Sequence, residues 1–164
     1  MIIIDDFLCD DFVEHIQDVI PNLGYTPHGS VGKLNFFNSI GTWPQTDAFN
    51  YVSKKIKNLI YIKNVSIGRV YVNLHPSGIN HGGVFHVDED TSGRFNETIT
   101  ALYYPYDWDE KYGGGTEFED GTIVEYKRNR LVLFGANKKH RGMEHSNPDM
   151  FRYTVAFKMN AEWV

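Results

Sequence analysis

Cysteine is nearly absent: Cys9 stands alone among 164 residues. No intrachain disulfide can form, and a reducing compartment suits such a chain. Cations are also in short supply. Sixteen Lys and Arg face 21 Asp and Glu, a formal charge of −5, which argues against nucleic acid or an anionic membrane as the main partner. Long apolar runs are missing. Met1-Ile2-Ile3-Ile4 meets Asp5-Asp6 at once, too short for a membrane span and without the basic start of a signal peptide. A soluble, cytoplasmic protein is the expectation. At this length one well-buried domain over residues 1–164 is expected, since no repeat or linker interrupts the sequence. Aromatic side chains are abundant instead, with 11 Phe, 10 Tyr and 3 Trp beside 15 Gly. That composition suits a strand-rich fold with tight turns.

Helical periodicity comes first along the chain. After a short strand at 2–4, Phe12, Ile16 and Val19 recur at helical spacing over 9–20, with Asp10 or Asp11 placed to cap and Pro21 to stop. A second helix is expected over 44–60. Phe49, Val52, Ile56 and Leu59 form its apolar stripe, and Lys54, Lys55 and Lys57 form a solvated face that complements the helix dipole. Between them, residues 24–43 carry four glycines among aromatics and Asn. Short strands joined by turns, or a flap near a site, both suit that stretch.

From residue 65 the period becomes two. Strands are expected at 65–74, around His86, and at 98–104, 115–118, 122–126, 130–134, 140–145 and 151–159. The fold class is mainly β (α+β): a double-stranded β-helix, or jelly roll, over about 65–160, with N-terminal helical support over about 9–60 packed on one sheet.

The stretch 83–90 organises the chemistry. Residues two apart on a strand share a face, so His86 and Asp88 present an imidazole and a carboxylate side by side. A further His would complete a 2-His-1-carboxylate set, which suits non-haem Fe(II) and leaves coordination positions open. His140 follows the strand 130–134, and Arg152 lies twelve residues beyond it. In this combination the chain resembles the Fe(II)- and 2-oxoglutarate-dependent dioxygenases, particularly the prolyl-4-hydroxylase-like branch. Their signature is His-x-Asp, a distal His, and an Arg or Lys shortly after it. Leu74-His75-Pro76-Ser77-Gly78 resembles the Tyr-Pro-Gly turn of those hydroxylases, and the run from Ala101 through Asp107-Trp108-Asp109 to Gly113-Gly114-Gly115 is similar to their central strand, loop and glycine turn.

The resemblance implies Fe(II) on His86, Asp88 and His140, with 2-oxoglutarate and dioxygen as co-substrates and ascorbate as an accessory reductant. It implies hydroxylation of an unactivated C–H bond, most readily a prolyl residue in a peptide or protein, with release of succinate and CO2. Arg152 is expected to grip the distal carboxylate of 2-oxoglutarate bidentately, with Thr154 or Tyr104 adding a hydroxyl. His75 stands where those hydroxylases often carry a Tyr that touches the co-substrate, so Tyr71, Asn73 or Tyr104 is expected to supply that contact. A rival reading is a non-catalytic cupin-like module holding a metal or small ligand. Arg152 favours the enzyme, because a bare metal module needs no buried cation there.

His145 competes with His140 for the third position. Reading Asn147-Pro148-Asp149 as a hairpin turn pairs His140 with Ala156 and Glu144 with Arg152. His140, Arg152 and Thr154 then face inward, His145 faces away, and about 13 Å of strand separates Arg152 from the position opposite His140. Loss of a ligand such as Asp88 is expected to spare folding, and iron affinity is expected to fall below about pH 6.5, where protons compete for imidazoles. Tyr25, Phe36, Phe37, Trp43 and Trp108 line a peptide groove or simply pack. Lys138, Lys139 and Arg141 form a solvated loop or attract an acidic substrate.

Overall fold

The fourteen residues Ile62–His75 form the longest strand of a computed structural model that describes residues 1–28, 36–39, 47–78, 83–88 and 97–164. In chain order the elements are β1 (Ile2–Ile4), α1 (Asp10–Val19), β2 (Tyr25–His28), β3 (Phe36–Ser39), α2 (Asp47–Lys57), β4 (Ile62–His75), β5 (Ile99–Tyr104), β6 (Thr116–Phe118), β7 (Ile123–Val124), β8 (Arg130–Gly135), β9 (His140–Gly142) and β10 (Arg152–Trp163). Among the described residues they make two antiparallel sheets. The larger runs β1-β8-β5-β10-β4-β3-β2 and the smaller β7-β6-β9.

Strand parity divides the core into two layers. One face of the large sheet sends Val70, Val72, Val155, Phe157 and Met159 toward Val13 and Ile16 of α1 and Phe49, Val52 and Ile56 of α2. The opposite face packs Leu102, Tyr104, Val132, Phe134 and Ala156 against Phe118, Val124 and Tyr126 from the small-sheet side. Each such side chain contributes about 1.5–3 kcal/mol when fully buried. The helices therefore shore up one side of the large sheet while the small sheet covers the other. This is the expected jelly roll with helices on one sheet.

Several local expectations change. Neither Asp10 nor Asp11 caps α1; Cys9 occupies the N-cap without a side-chain hydrogen bond, and both aspartates sit in the first turn, where they favour the helix dipole. Lys55 is not simply solvated, since its Nζ donates to the Phe7 carbonyl at 3.0 Å. Strands β2 and β3 occupy part of 24–43, and β3 pairs with β4 at Phe37↔Leu74 and Asn38↔Asn73. Trp43, His81 and the start of the second expected helix lie outside the described residues. Trp108 and Tyr25 pack: Trp108 Nε1 donates to Gly113 O at 2.7 Å, and Tyr25 Oη to Ile20 O at 2.8 Å.

The hairpin expected between 140 and 159 does not form. β9 pairs with β6 through Phe118↔His140, whereas β10 lies between β4 and β5 in the other sheet. His140 and Ala156 belong to different sheets. A turn signature at 147–149 marks where the chain bends but not which strand lies beside which, and here the two flanking strands part to different sheets.

Candidate metal centre

Three antiparallel bonds build the centre. His86 N donates to His140 O and His140 N to His86 O, each at 3.0 Å, and Gly83 N donates to Gly142 O at 2.8 Å. The segment 83–88 thus lies along the free edge of β9, although only an isolated bridge at His86↔His140 counts as strand. Residues directly opposite share a face, so the two imidazoles meet with ring centroids 4.5 Å apart. Asp88 is two residues from His86 and is pinned by Asp88 N→Ala136 O at 2.8 Å. Ligand atoms of His86, Asp88 and His140 all lie within 4.8 Å of one another.

Backbone carbonyls orient both rings. Nδ1–H of His86 donates to Val84 O and Nδ1–H of His140 to Lys138 O, each at 2.9 Å. That leaves both Nε2 lone pairs directed at Asp88, at 3.7 and 3.5 Å. Metal-binding histidines usually make this second hydrogen bond, because it fixes tautomer and ring angle. Burial pushes the His140 imidazole down to about 4 against the pull of Asp88. Burial raises the Asp88 carboxyl, but the Lys158 ammonium and His140 outweigh it and hold it at about 2. At neutral pH His140 therefore offers a neutral imidazole and Asp88 a carboxylate.

These shifts move the acid sensitivity expected from the sequence. At His140 the proton competes near pH 4 rather than 6.5. In the metal-free protein an unfolded chain protonates this imidazole near pH 6.5, while the folded chain resists until about 4. Acid therefore favours unfolding across that window, by about 3 kcal/mol from His140 at its lower end. Below about pH 4 protonation of Asp88 removes further stability. Urea midpoints of metal-free protein should fall between pH 7 and 4.5, and less so in His140→Gln. Equal pH slopes in the two proteins would contradict a neutral, buried His140.

Arg152 is 2 % exposed. Its Nε donates to Gly114 O and its Nη2 to Gly115 O at 3.1 Å and Thr116 Oγ1 at 3.3 Å. Thr116 in turn bonds the Tyr104 hydroxyl at 2.7 Å. Gly114, at φ 81°, has no room for a side chain, since an added Cβ would stand 3.0 Å from His145 Cβ and 3.3 Å from Arg152 Cδ. None of the ion pairs among the described residues includes Arg152. Its Nη1 borders Gly142, whose added Cβ would lie 3.2 Å away. Gly142 is two residues from His140 on β9, about 7 Å along the strand. The guanidinium thus approaches the His140 strand across the two sheets, which replaces the 13 Å estimate along a hairpin.

The remaining candidates divide. Asn73 Nδ2 reaches Thr154 Oγ1 at 3.5 Å, while its buried Oδ1 has no partner among the described residues. Tyr71 lies beside Lys158, whose Nζ is 5.6 Å from the ring centre. His145 stays out of the cluster, but it does not face away: it is 3 % exposed, with Nε2 against His75 O at 2.9 Å and its ring edge-on to Trp108. Lys138, Lys139 and Arg141 pair with Asp120, Glu119 and Glu117.

Sequence reasoning passed over Thr100 and gave Lys158 no part in the metal centre. Thr100 Oγ1 donates to Asp88 Oδ2 at 2.7 Å, and Lys158 Nζ contacts the same oxygen. The signal was a lone lysine inside Val155-Ala156-Phe157-Lys158-Met159, on the same strand face as Arg152 and Thr154. Asp88 therefore neutralises a buried cation, and its removal is not the neutral event for folding expected from the sequence.

The donor set fits a divalent metal through two imidazoles and a carboxylate. Among the described residues the guanidinium has no acid partner and fits an anionic companion, whereas the orphaned Asn73 Oδ1, an acceptor, fits a donor. No curated protein matches the sequence. Among solved structures, the collagen prolyl hydroxylase of Paramecium Bursaria Chlorella virus-1 aligns with a TM-score of 0.73 at 16% identity, covering 96% of this chain and 93% of that one. A Trichoplax adhaerens prolyl hydroxylase, solved with a hypoxia inducible factor peptide, gives 0.72 at 19% over 96% and 82%. The α-ketoglutarate-dependent epimerase SnoN of nogalamycin biosynthesis gives 0.76 at 13% over 99% and 80%. At such identities these likenesses speak for the fold. The sequence match is more specific: residues 72–159, more than half of the chain and including all three donors and Arg152, place this protein in the 2OG-Fe(II) oxygenase superfamily.

Proposed function

We propose that the chain is a hydroxylase that binds Fe(II) through His86, Asp88 and His140 and holds 2-oxoglutarate with Arg152, acting on a prolyl residue of a peptide or protein. The superfamily works with Fe(II), 2-oxoglutarate and dioxygen. When bound, these supply oxidative decarboxylation to succinate and CO2 coupled to attack on a C–H bond. The chain's own residues position and exclude. The carbonyls of Val84 and Lys138 hold the imidazoles in the ligating tautomer. Arg152 offers a preformed fork in a site from which water is largely removed, where a charge-assisted pair is strong. Thr116 and Tyr104 brace that fork from behind.

One observation carries the reading: a buried guanidinium, without an acid among the described residues, lies close to the strand that carries His140. Burying an arginine unpaired is costly, and a diacid spanning metal and guanidinium removes the cost. A cupin-like binding module gives no reason for it. The prolyl substrate is supported by the collagen and hypoxia-factor prolyl hydroxylases among the structural neighbours, and a peptide rather than a nucleic acid suits the net charge of −5. Succinate release against proline-containing peptides, the same peptides with alanine for proline, and free amino acids tests it. Stimulation confined to the proline peptides is expected; equal stimulation by the alanine series would refute the prolyl assignment.

A further inference from the structure

Asp88 is held by one oxygen only. Oδ2 accepts from Thr100 Oγ1 at 2.7 Å and from Lys158 Nζ, and Lys158 also donates to Thr100 Oγ1 at 3.3 Å. Oδ1 receives no hydrogen bond among the described residues and lies 3.7 Å from His86 Nε2. The three residues are 8 %, 0 % and 3 % exposed, so water competes poorly for these contacts. Lys158 does not serve metal affinity, because an ammonium at this spot repels a bound cation. Its place is fixed by register: it pairs with Arg69 and Thr100 on the neighbouring strands, and the irregularity between Lys158 and Met159 leaves Met159 in the apolar layer beneath.

We propose that Lys158, with Thr100, keeps a coordination position of the metal centre open by restricting Asp88 to a single ligating oxygen. A carboxylate binds hard cations through one oxygen or both. Chelation by both would leave two open positions beside two imidazoles, so a chelating 2-oxo acid would have to displace one carboxylate oxygen, or fill both and leave none for dioxygen. With Oδ2 occupied by two donors, chelation would cost both hydrogen bonds. Lys158 is thus a positioning residue acting through Asp88. The inference rests on His86, Asp88 and His140 being the ligands.

Co(II) substitution provides a readout independent of turnover, since its visible absorption reports coordination number. Lys158→Met should bind Co(II) at least as tightly as the parent, with an altered visible spectrum and 2-oxoglutarate binding to the Co(II) protein weakened by about tenfold or more. Thr100→Val, which removes the other donor with little change of shape, should move spectrum and affinity the same way by less. Lys158→Gln, which can still donate to Oδ2, should retain the parent spectrum. If Lys158→Met does not fold, Thr100→Val carries the test. Parent-like spectrum and 2-oxoglutarate affinity in the folded variants would overturn the proposal and make Lys158 a counter-ion for folding alone. A parent protein that takes up no Co(II) would overturn the ligand assignment and the proposal with it.

Discussion

Replacing Asp88 with alanine is expected to abolish iron binding and turnover and also to weaken the fold, whereas His140→Ala should lose the first two with little of the third. The difference lies in Lys158, which is 3 % exposed and paired with Asp88. Removing one partner of a buried ion pair leaves an uncompensated charge, typically a loss of about 3–5 kcal/mol. His140 leaves no such orphan charge; its ring packs edge-on against Phe134 at 4.7 Å, so its loss costs packing alone. The double variant Asp88→Ala with Lys158→Met should recover most of the urea midpoint and none of the iron binding. An Asp88→Ala protein as stable as the parent would show that the Lys158–Asp88 pair carries no weight in folding. Retained activity in it would remove Asp88 from the ligand set.

Arg152→Gln should raise the 2-oxoglutarate requirement while sparing iron. Hydrogen bonds to a charged group are worth about 1.5–3 kcal/mol, so the dissociation constant should rise by roughly tenfold to a hundredfold. Arg152→Lys keeps the charge but not the fork and should fall between. Gly142→Ala approaches the same contact from the other sheet. Its Cβ would stand 3.2 Å from Arg152 Nη1 and 3.3 Å from His75 Cε1, tighter than ordinary packing, and should weaken 2-oxoglutarate binding several-fold by pushing the fork aside. Titrations of the iron-loaded proteins would decide. An unchanged requirement in Arg152→Gln would mean that another cation holds the diacid.

How far the centre was legible depends on the range over which each residue's placement is fixed. His86 and Asp88 needed only strand alternation, a local property, and they share a face as expected. His140 was chosen over His145 for a reason that failed. What separates the two candidates is that β9 carries His140 against β6 and the 83–88 segment, while His145, bridged to Gly113, packs on His75 and Trp108; parity within a hairpin to β10 plays no part. Such pairing is set by contacts far apart in sequence, which no local turn signal encodes. Lys158 was visible as a charge in an apolar strand, yet its partner is seventy residues upstream. The apolar stripes of both helices and their position on one sheet were readable, because burial of a stripe needs only a face to cover. The Asp10 and Asp11 caps were not, since capping preference competes with how the preceding loop enters the helix.

One measurement bears most directly on the whole account: anaerobic addition of Fe(II) and 2-oxoglutarate, followed in the visible. A weak charge-transfer band should appear only when both are present. His140→Ala should abolish it and His145→Ala should leave it unchanged. A colourless mixture with the parent protein, or a band that survives in His140→Ala and vanishes in His145→Ala, would contradict the centre described for this chain.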